Sequence, residues 1–493
     1  MNTVTIADCE HERLANSGQI QANGVLLFLA KQDMTFRYVS ANSAELLGEA
    51  PDELLGADGR DWLEMNLPDL GELPKGAGKR VHLPRALDLG LGELDVLISP
   101  TSDGWLLELE TSLDPENDPE CFQLAAWQAP LDSAGLERVQ QSLVEAISGV
   151  TGYDRVMLYQ FTPDWSGVVL AERVRHSPGT YLSLRFPATD IPAIARKLYA
   201  QTPYRHIPDV TAAPVPIQAL QGESTALDLT WSDLRSVSPM HVEYLSNMNV
   251  ASSFSTSVMV EGKLWGLVAC HNPEPRWIPL EARQRCKALV DAYVEALLSH
   301  RRSIERSLLE TLSARLEPVR AQLARGGSIA DSLASQFQIL SKLFGVTSGA
   351  VAIGDQITPL GADAPPAEML TGVHHWCSRA MSDTLYSTDH IAGAWDAAPE
   401  HAPFRGLLCL SVRAKQLASG HLYLYLFRPE EVSEVAWAGN PEKPMEASGE
   451  GVQISPRKSF ERWVQVRRGF SRGWSDEQVF VARQLRDQLS AWL

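Results

Sequence analysis

The sequence predicts an α+β protein in which three similar modules of antiparallel strands and short helices are strung on one long helix. Three observations lead there. Apolar residues alternate over short runs that pair across turn residues, as half-buried strands do. Helical spacing appears between those runs, and near the middle it continues unbroken from about Glu281 to Arg325. A length of 493 residues also suits about three domains of roughly 100–200 residues each.

Composition narrows the class. Hydrophobic residues make up 44% and charged residues 21%, ordinary values for a globular chain. Lys and Arg total 43 against 61 for Asp and Glu, a net charge of −18 that disfavours nucleic acid and anionic membrane as partners. No apolar run approaches the roughly 20 residues of a membrane span. The opening MNTVTIADCEHERL has acids where a secretory signal has a basic region. Six cysteines (Cys9, Cys121, Cys270, Cys286, Cys377 and Cys409) are scattered without a CxxC pair, against a zinc ribbon or disulfide framework. A soluble, cytoplasmic protein is expected.

Taken in order, residues 1–20 are polar and aperiodic and read as an extended arm, with Cys9 ahead of any fold. The first module, 21–114, has strands VLLFLA and FRYVSA, a short helix near Asn42–Leu47, and strands LDVLIS and WLLELET joined across Pro100–Gly104. DPENDPE is a linker by composition. The second module, 129–298, opens with a helix that Asp132 or Ser133 caps, its Leu136, Val139, Leu143 and Ile147 at helical spacing. Strands YDRVMLYQF and GVVLAERV follow, and SSFSTSVMV and KLWGLVACH form a hairpin about Glu261-Gly262. The long helix is then a spine or a dimer seam, 299–325 being its connecting part, with Pro318 expected to bend or end it. After Gly326-Gly327 the third module, 326–493, repeats the theme with helix SIADSLASQFQILSKLF and strands AVAIG, LLCLSV and HLYLYLF. A long excursion from Arg428 to Phe470 interrupts it, and a last helix opens with Ser475 and Gln478 at capping-box spacing.

The chain contains no GxxxxGK[ST], HExxH or GxSxG motif and no catalytic constellation, so it is not expected to be an enzyme. The second module instead places polar residues on apolar elements. Asp190 precedes Ile191-Pro192 at a helix start, where an N-cap aspartate is the simplest reading. Arg235 leads to a helix after Pro239 that sets His241 and Tyr244 on one face. Ser253 and Ser255 share a strand face, and His271 ends the next strand. Each has an ordinary structural reading. Together they suit an apolar pocket for a large flat ligand with anionic arms and a protonatable centre.

FPATDIPAIARKLY, LRSVSPMHVEYLSNMNV and LWGLVACH closely resemble the GAF motifs of bacteriophytochromes, and WAGNP and SPRKSF resemble the tongue of their PHY domain. The resemblance implies PAS, GAF and PHY domains in that order, with a figure-of-eight knot between the arm and the GAF domain. It implies a red/far-red photoreceptor that carries biliverdin IXα as a thioether on Cys9. Met240 stands where phytochromes using reduced bilins have their cysteine. By the same resemblance, Asp190 turns its carbonyl to the pyrrole nitrogens, and His241 holds a water at the bilin centre. Arg205 and Arg235 bind one propionate; His241, Ser253 and Ser255 serve the other. Met157, Tyr159, Phe186, Tyr244 and His271 line the ring D pocket, and Ile191, Pro192, Tyr199 and Ser238 complete the site. Arg457 pairs with Asp190 and acts with Ser459 and Trp437 in a tongue, about 429–470, that refolds when C15=C16 isomerises.

Some positions depart from the family pattern. HERLANSGQIQANG replaces the usual PIHIPG and IQPHG, Asn272 follows His271 where a second histidine is common, and the tongue reads SFERWVQV where WxE is usual. Leu184 occupies a site where some members that rest in the far-red-absorbing state carry Gln, so a red-absorbing dark state is expected. The resemblance further implies a homodimer through the spine helices and a downstream output domain or response regulator. The alternatives are the sensory core of a histidine kinase or cyclase whose catalytic part is absent here, or a PAS/GAF protein that has lost the pigment.

Overall fold

The structure is a computed structural model that describes residues 14–76, 78–89, 92–112, 129–223, 226–380, 384–399, 402–415, 417, 419–441, 445–448, 451–454, 457 and 459–493. Chain contacts divide it into two compact units, Met1–Leu298 with Ala436–Trp463, and Ser299–Val435 with Val464–Leu493.

In the first unit, a 3-10 turn at Leu14–Asn16 leads to β1 (Gln19–Ile20), β2 (Gly24–Ala30), β3 (Phe36–Ser40), α1 (Ser43–Leu47), α2 (Pro51–Leu54), α3 (Gly59–Asn66), β4 (Val81–Asp88), β5 (Glu93–Pro100) and β6 (Gly104–Thr111). The second module follows with α4 (Ser133–Thr151), β7 (Arg155–Phe161), β8 (Gly167–Val174), β9 (Arg185–Phe186), a 3-10 turn Ala188–Asp190 and α5 (Ala193–Gln201). It continues through β10 (Tyr204–Ile207), β11 (Val215–Ala219), α6 (Pro239–Asn247), β12 (Ser252–Val260), β13 (Lys263–Asn272) and α7 (Leu280–Ala324). Residues 280–298 of α7 belong to the first unit and 299–324 to the second.

Two sheets carry the first unit. One has the order β1-β11-β3-β2-β6-β5-β4, so β11 of the second module joins the first module's sheet beside the arm. The arm is therefore less free than its polar sequence suggests. Ile20 is fully buried, Gln21 N donates to Leu234 O at 2.7 Å, and β1 pairs with β11. The other sheet runs β10-β12-β13-β7-β8-β9 and is continued by β19 (Ser433–Ala438) and β22 (Arg462–Arg467), through Trp437 opposite Arg185. The β12–β13 turn has φ of 50° at Glu261 and 76° at Gly262, both positive as a type I′ hairpin requires. Asp132 caps α4 by accepting from Gly135 N at 2.7 Å. The apolar face of α4 (Leu143, Val144 and Ile147, all fully buried) packs with Leu289 and Tyr293 of α7 behind this sheet.

The second unit holds the rest of α7, then α8 (Ile329–Ser335), α9 (Phe337–Phe344), β14 (Ser348–Ile353), β15 (Gln356–Leu360), α10 (Ala367–Ala380), β16 (Leu385–Thr388), α11 (Ile391–Ala394), β17 (Gly406–Arg413) and β18 (His421–Arg428). After β19, a hairpin of β20 (Met445–Ser448) and β21 (Gly451–Ile454) precedes β22, and α12 (Asp476–Trp492) closes the chain behind its Ser475–Gln478 capping box. Its sheet has the order β15-β14-β18-β17-β16. Two expectations need correction here. Of the bend or end expected at Pro318, the end does not occur, because the long helix runs on to Ala324. Leu312, Leu316 and Val319 are at most 1% exposed, and burying that face outweighs one missing N–H bond. The single helix expected after Gly327 is two, broken at Gln336, where Ser335 Oγ turns back onto Ser332 O at 3.1 Å and competes with the helical ladder.

Candidate functional site

The second module folds around a cleft that encloses about 1140 Å³ of empty space, the open solvent at its mouth included. Its wall takes Asp190, Ile191 and Pro192 from the turn before α5 and Tyr199 from α5 itself. Arg205 comes from β10, Arg235 and Ser238 from the segment before α6, and His241 and Tyr244 from α6. Leu14 of the arm and Met240 also line it. Most of the remaining wall is aliphatic, including Ile194, Leu198, Ile207 and Val237.

Asp190 is not an N-cap. It ends the 3-10 turn, and Pro192 occupies the capping position of α5. Its carboxylate instead accepts Tyr244 Oη at 3.1 Å and Arg457 Nε at 3.2 Å, with Arg457 Nη2 on its second oxygen. Both side chains of this ion pair are 2% exposed. Arg457 Nη1 also donates to Ala438 O, its backbone carbonyl accepts Asn247 Nδ2 at 3.2 Å, and its guanidinium stacks on Phe460 at 5.0 Å. Tyr244 lies between the two regions, stacked on His241 at 6.0 Å and edge-on to Phe460 at 5.3 Å.

Arg205 and Arg235 form the cationic wall. Arg205 donates to the carbonyls of Asp233 (3.1 Å), Ser236 (3.0 Å) and Arg235, and Arg235 to those of Leu229 (3.2 Å) and Thr230 (3.4 Å). Backbone carbonyls orient both groups without neutralising them. Burial and the neighbouring Arg235 pull Arg205 down to about 9, and burial also lowers Arg235. Burial with nearby Arg205 lowers His241 to about 4, so its imidazole is neutral and can accept a hydrogen bond.

Among the described residues, Met157, Tyr159, Phe186, Ser253, Ser255 and His271 stand beside the cleft rather than in its wall. Ser255 Oγ is 2.8 Å from Tyr199 Oη. Met157, Tyr159 and Phe186 pack in one apolar cluster with Ile191 and Tyr199. Ser253 and Arg155 are the two cross-strand neighbours of His271. Trp437 adds a strand to β9, and Ser459 is exposed with its carbonyl against Gly439. Cys9 lies outside the described residues. Two buried polar atoms, Tyr159 Oη and His271 Nδ1, have no hydrogen-bond partner among the described residues, and burial with Arg155 lowers His271 to about 3. A cationic wall, a largely apolar lining and two orphaned polar atoms beside the cleft fit a bilin with its carboxylates.

Three family patterns match in order: the PAS fold over residues 9–79, the GAF domain over 135–294 and the phytochrome region over 313–493. The photosensory core module of the Stigmatella aurantiaca phytochrome superposes with a TM-score of 0.81 at 30% identity, 99% of each chain being covered. The chain belongs to the phytochrome family. Among phytochrome sequences it is 33% identical to a bacteriophytochrome of Pseudomonas aeruginosa over 98% of its own length, and 31% identical to cyanobacterial phytochrome B of a Nostoc species over 99%. It spans 66% of the length of each of these two phytochromes. What it contains is the phytochrome PAS-GAF-PHY architecture, on α+β modules and one long helix.

Sequence reasoning passed over several contributors. A Cβ on Gly167 would meet the Tyr159 ring at 1.7 Å, so only glycine lets that ring lie against β8. The altered arm is anchored in its own way: Gln21 Nε2 donates to His206 O at 3.0 Å and Asn23 Nδ2 to Glu110 Oε2 at 2.8 Å. Asn23, at a site where the family motif has histidine, was legible as a departure but not as a replacement contact.

Proposed function

We propose that this chain is the photosensory core of a red/far-red photoreceptor that binds biliverdin IXα. The observation that carries the reading is a pair of adjacent buried arginines on the wall of an apolar cleft that ends at the Asp190–Arg457 ion pair. Light-driven Z-to-E isomerisation of the C15=C16 bond is the chemistry that bound biliverdin supplies.

The chain's own residues do the rest. Arg205 and Arg235 draw in propionate carboxylates, guanidinium being suited to that geometry. Neutral His241 and the Asp190 carbonyl accept from a protonated centre that a low-dielectric site would otherwise disfavour. Ser253 and Ser255 serve the second propionate, and Met157, Tyr159, Phe186 and His271 close the ring D end. Leu14 in the cleft wall supports Cys9 as the thioether anchor, because five intervening steps span at most about 17 Å of chain. The arm, hydrogen-bonded between β11 and the 227–236 segment, is the strand that threads the figure-of-eight knot. Tyr244 touches both the cleft and Asp190, so rearranged cleft hydrogen bonds reach Arg457 and bias the tongue between two packings. Trp437 and Ser459 move with Arg457 in that switch. The division of labour is arm 1–20, PAS 21–114, GAF 129–298, spine 299–325 and PHY 326–493, acting as a homodimer on an output module.

Assembly with biliverdin, followed by absorption spectra in the dark and after red and then far-red light, tests the reading. A reversible difference spectrum starting from a red-absorbing dark state is expected, and its absence refutes the proposal. A denaturing gel stained by zinc fluorescence should show bound bilin that Cys9→Ser abolishes.

A further inference from the structure

One buried carboxylate outside the cleft is tied to the cleft's cationic wall. Glu108, on β6 of the first module, is 1% exposed. Burial and neighbouring Asp233 push its carboxyl up to about 7 although Arg80 pulls the other way, so the site disfavours a charge there. Its bonds show what holds it in place. One oxygen accepts Ser232 Oγ at 2.6 Å and Leu234 N at 2.8 Å, and the other accepts Asp233 N at 3.2 Å. Arg80 Nη2 sits 3.7 Å from Glu108 and 2.7 Å from Asp233. A single carboxylate from the first module therefore grips residues 232, 233 and 234 of the second. The carbonyls of Asp233, Arg235 and Ser236 in that same segment are the ones that hold the Arg205 guanidinium.

We infer that Glu108 is a positioning residue for Arg205: it fixes the 232–236 segment, and through it the way the cleft receives an anionic group. The inference rests on the proposed bilin reading for the identity of that group, and on the geometry alone for the anchoring. Coulomb's law and positioning predict opposite signs here. At a pH above about 7, where the Glu108 carboxyl is charged, removing that charge from behind a cationic wall should by itself tighten an anionic ligand. Loss of the anchor should loosen it.

The test reads the rapid non-covalent binding of biliverdin and its dimethyl ester, before any thioether forms, to the full chain carrying Glu108→Gln, with amide hydrogen exchange measured across 229–238 in the unliganded protein. Biliverdin affinity should fall about tenfold, the ester should bind as it does to the wild-type chain, and exchange at Asp233 and Leu234 should rise at least tenfold. Biliverdin binding that is unchanged or tighter overturns the inference, as does exchange that stays protected. Should the wild-type chain take up neither bilin, the proposed function fails, and the exchange result alone decides the anchoring. Ser232→Ala, which removes one of the three bonds, should shift both readouts in the same direction by less and keeps the test open if Glu108→Gln fails to fold.

Discussion

Two buried arginine–carboxylate pairs in the first unit resemble each other in chemistry and differ in setting. Arg283 of α7 meets Glu110 of β6 through two bonds, at 2.9 and 2.6 Å, and its Nε donates to Ile278 O at 3.0 Å. Arg457 meets Asp190 in the same two-pronged way, and the paired side chains are 1–4% exposed in both cases. The first pair joins a helix to a strand. The second joins a 3-10 turn to Arg457, a residue outside any helix or strand and 267 positions away, and shares its carboxylate with a tyrosine in the cleft wall. Breaking either pair strands buried charges, and two regular elements give the Arg283–Glu110 pair little room to find new partners. A pair with both ends on irregular chain can exchange partners, which a switch requires.

The locked pair should show the largest effect. Glu110→Ala leaves Arg283 buried and unpaired, and unfolding free energy should drop by about 3–5 kcal/mol in a urea melt. The double variant Glu110→Leu, Arg283→Met should recover most of that loss, because hydrophobic replacement of a buried pair is often neutral. A small loss in the single variant would make the two pairs equivalent and defeat the comparison.

The Asp190–Arg457 pair should cost less and, on the proposed function, matter more to light. Asp190→Ala removes the acceptor of Arg457 and Tyr244 and should cost about 2 kcal/mol in a urea melt. Pigment should still assemble while photoconversion is impaired, and full photocycling in this variant would refute the role given to Asp190. Gly167→Ala tests the packed end of the cleft. A methyl forced against the Tyr159 ring should cost about 1–2 kcal/mol and shift the spectrum of the assembled pigment without abolishing binding.

The contrast between the pairs also explains what could be read in advance. The modules, the Glu261-Gly262 hairpin, the Asp132 cap and the terminal capping box follow from local periodicity and turn chemistry, and all appear in the structure. Asp190 misled a local reading, because a carboxylate before Ile-Pro looks like a cap until a partner 267 positions away is known. Glu108 and Glu110 were hidden for a related reason. In WLLELET they alternate with leucines as the solvent face of a strand would, yet they are 1% and 3% exposed. Alternation gives the period of a strand and says nothing of what covers its polar face. Here the second module and α7 cover it, and their positions depend on contacts far apart in sequence.

The smallest expected effect concerns protons rather than contacts. His241 and His271 are both held below the ordinary imidazole value, near 4 and near 3, chiefly by burial and secondly by nearby arginine. The unfolded chain therefore binds more protons than the folded one once pH drops below about 6.5, and stability must fall as pH falls from there towards 4. Relaxation of the surroundings around a protonating buried group keeps the loss to about 1 kcal/mol per group at pH 5. The unliganded chain should show this slope in thermal melts between pH 7 and 5, and His241→Gln should flatten part of it. A pH profile unchanged by His241→Gln would mean that the cleft solvates this imidazole as water does, removing the case for it as a neutral acceptor.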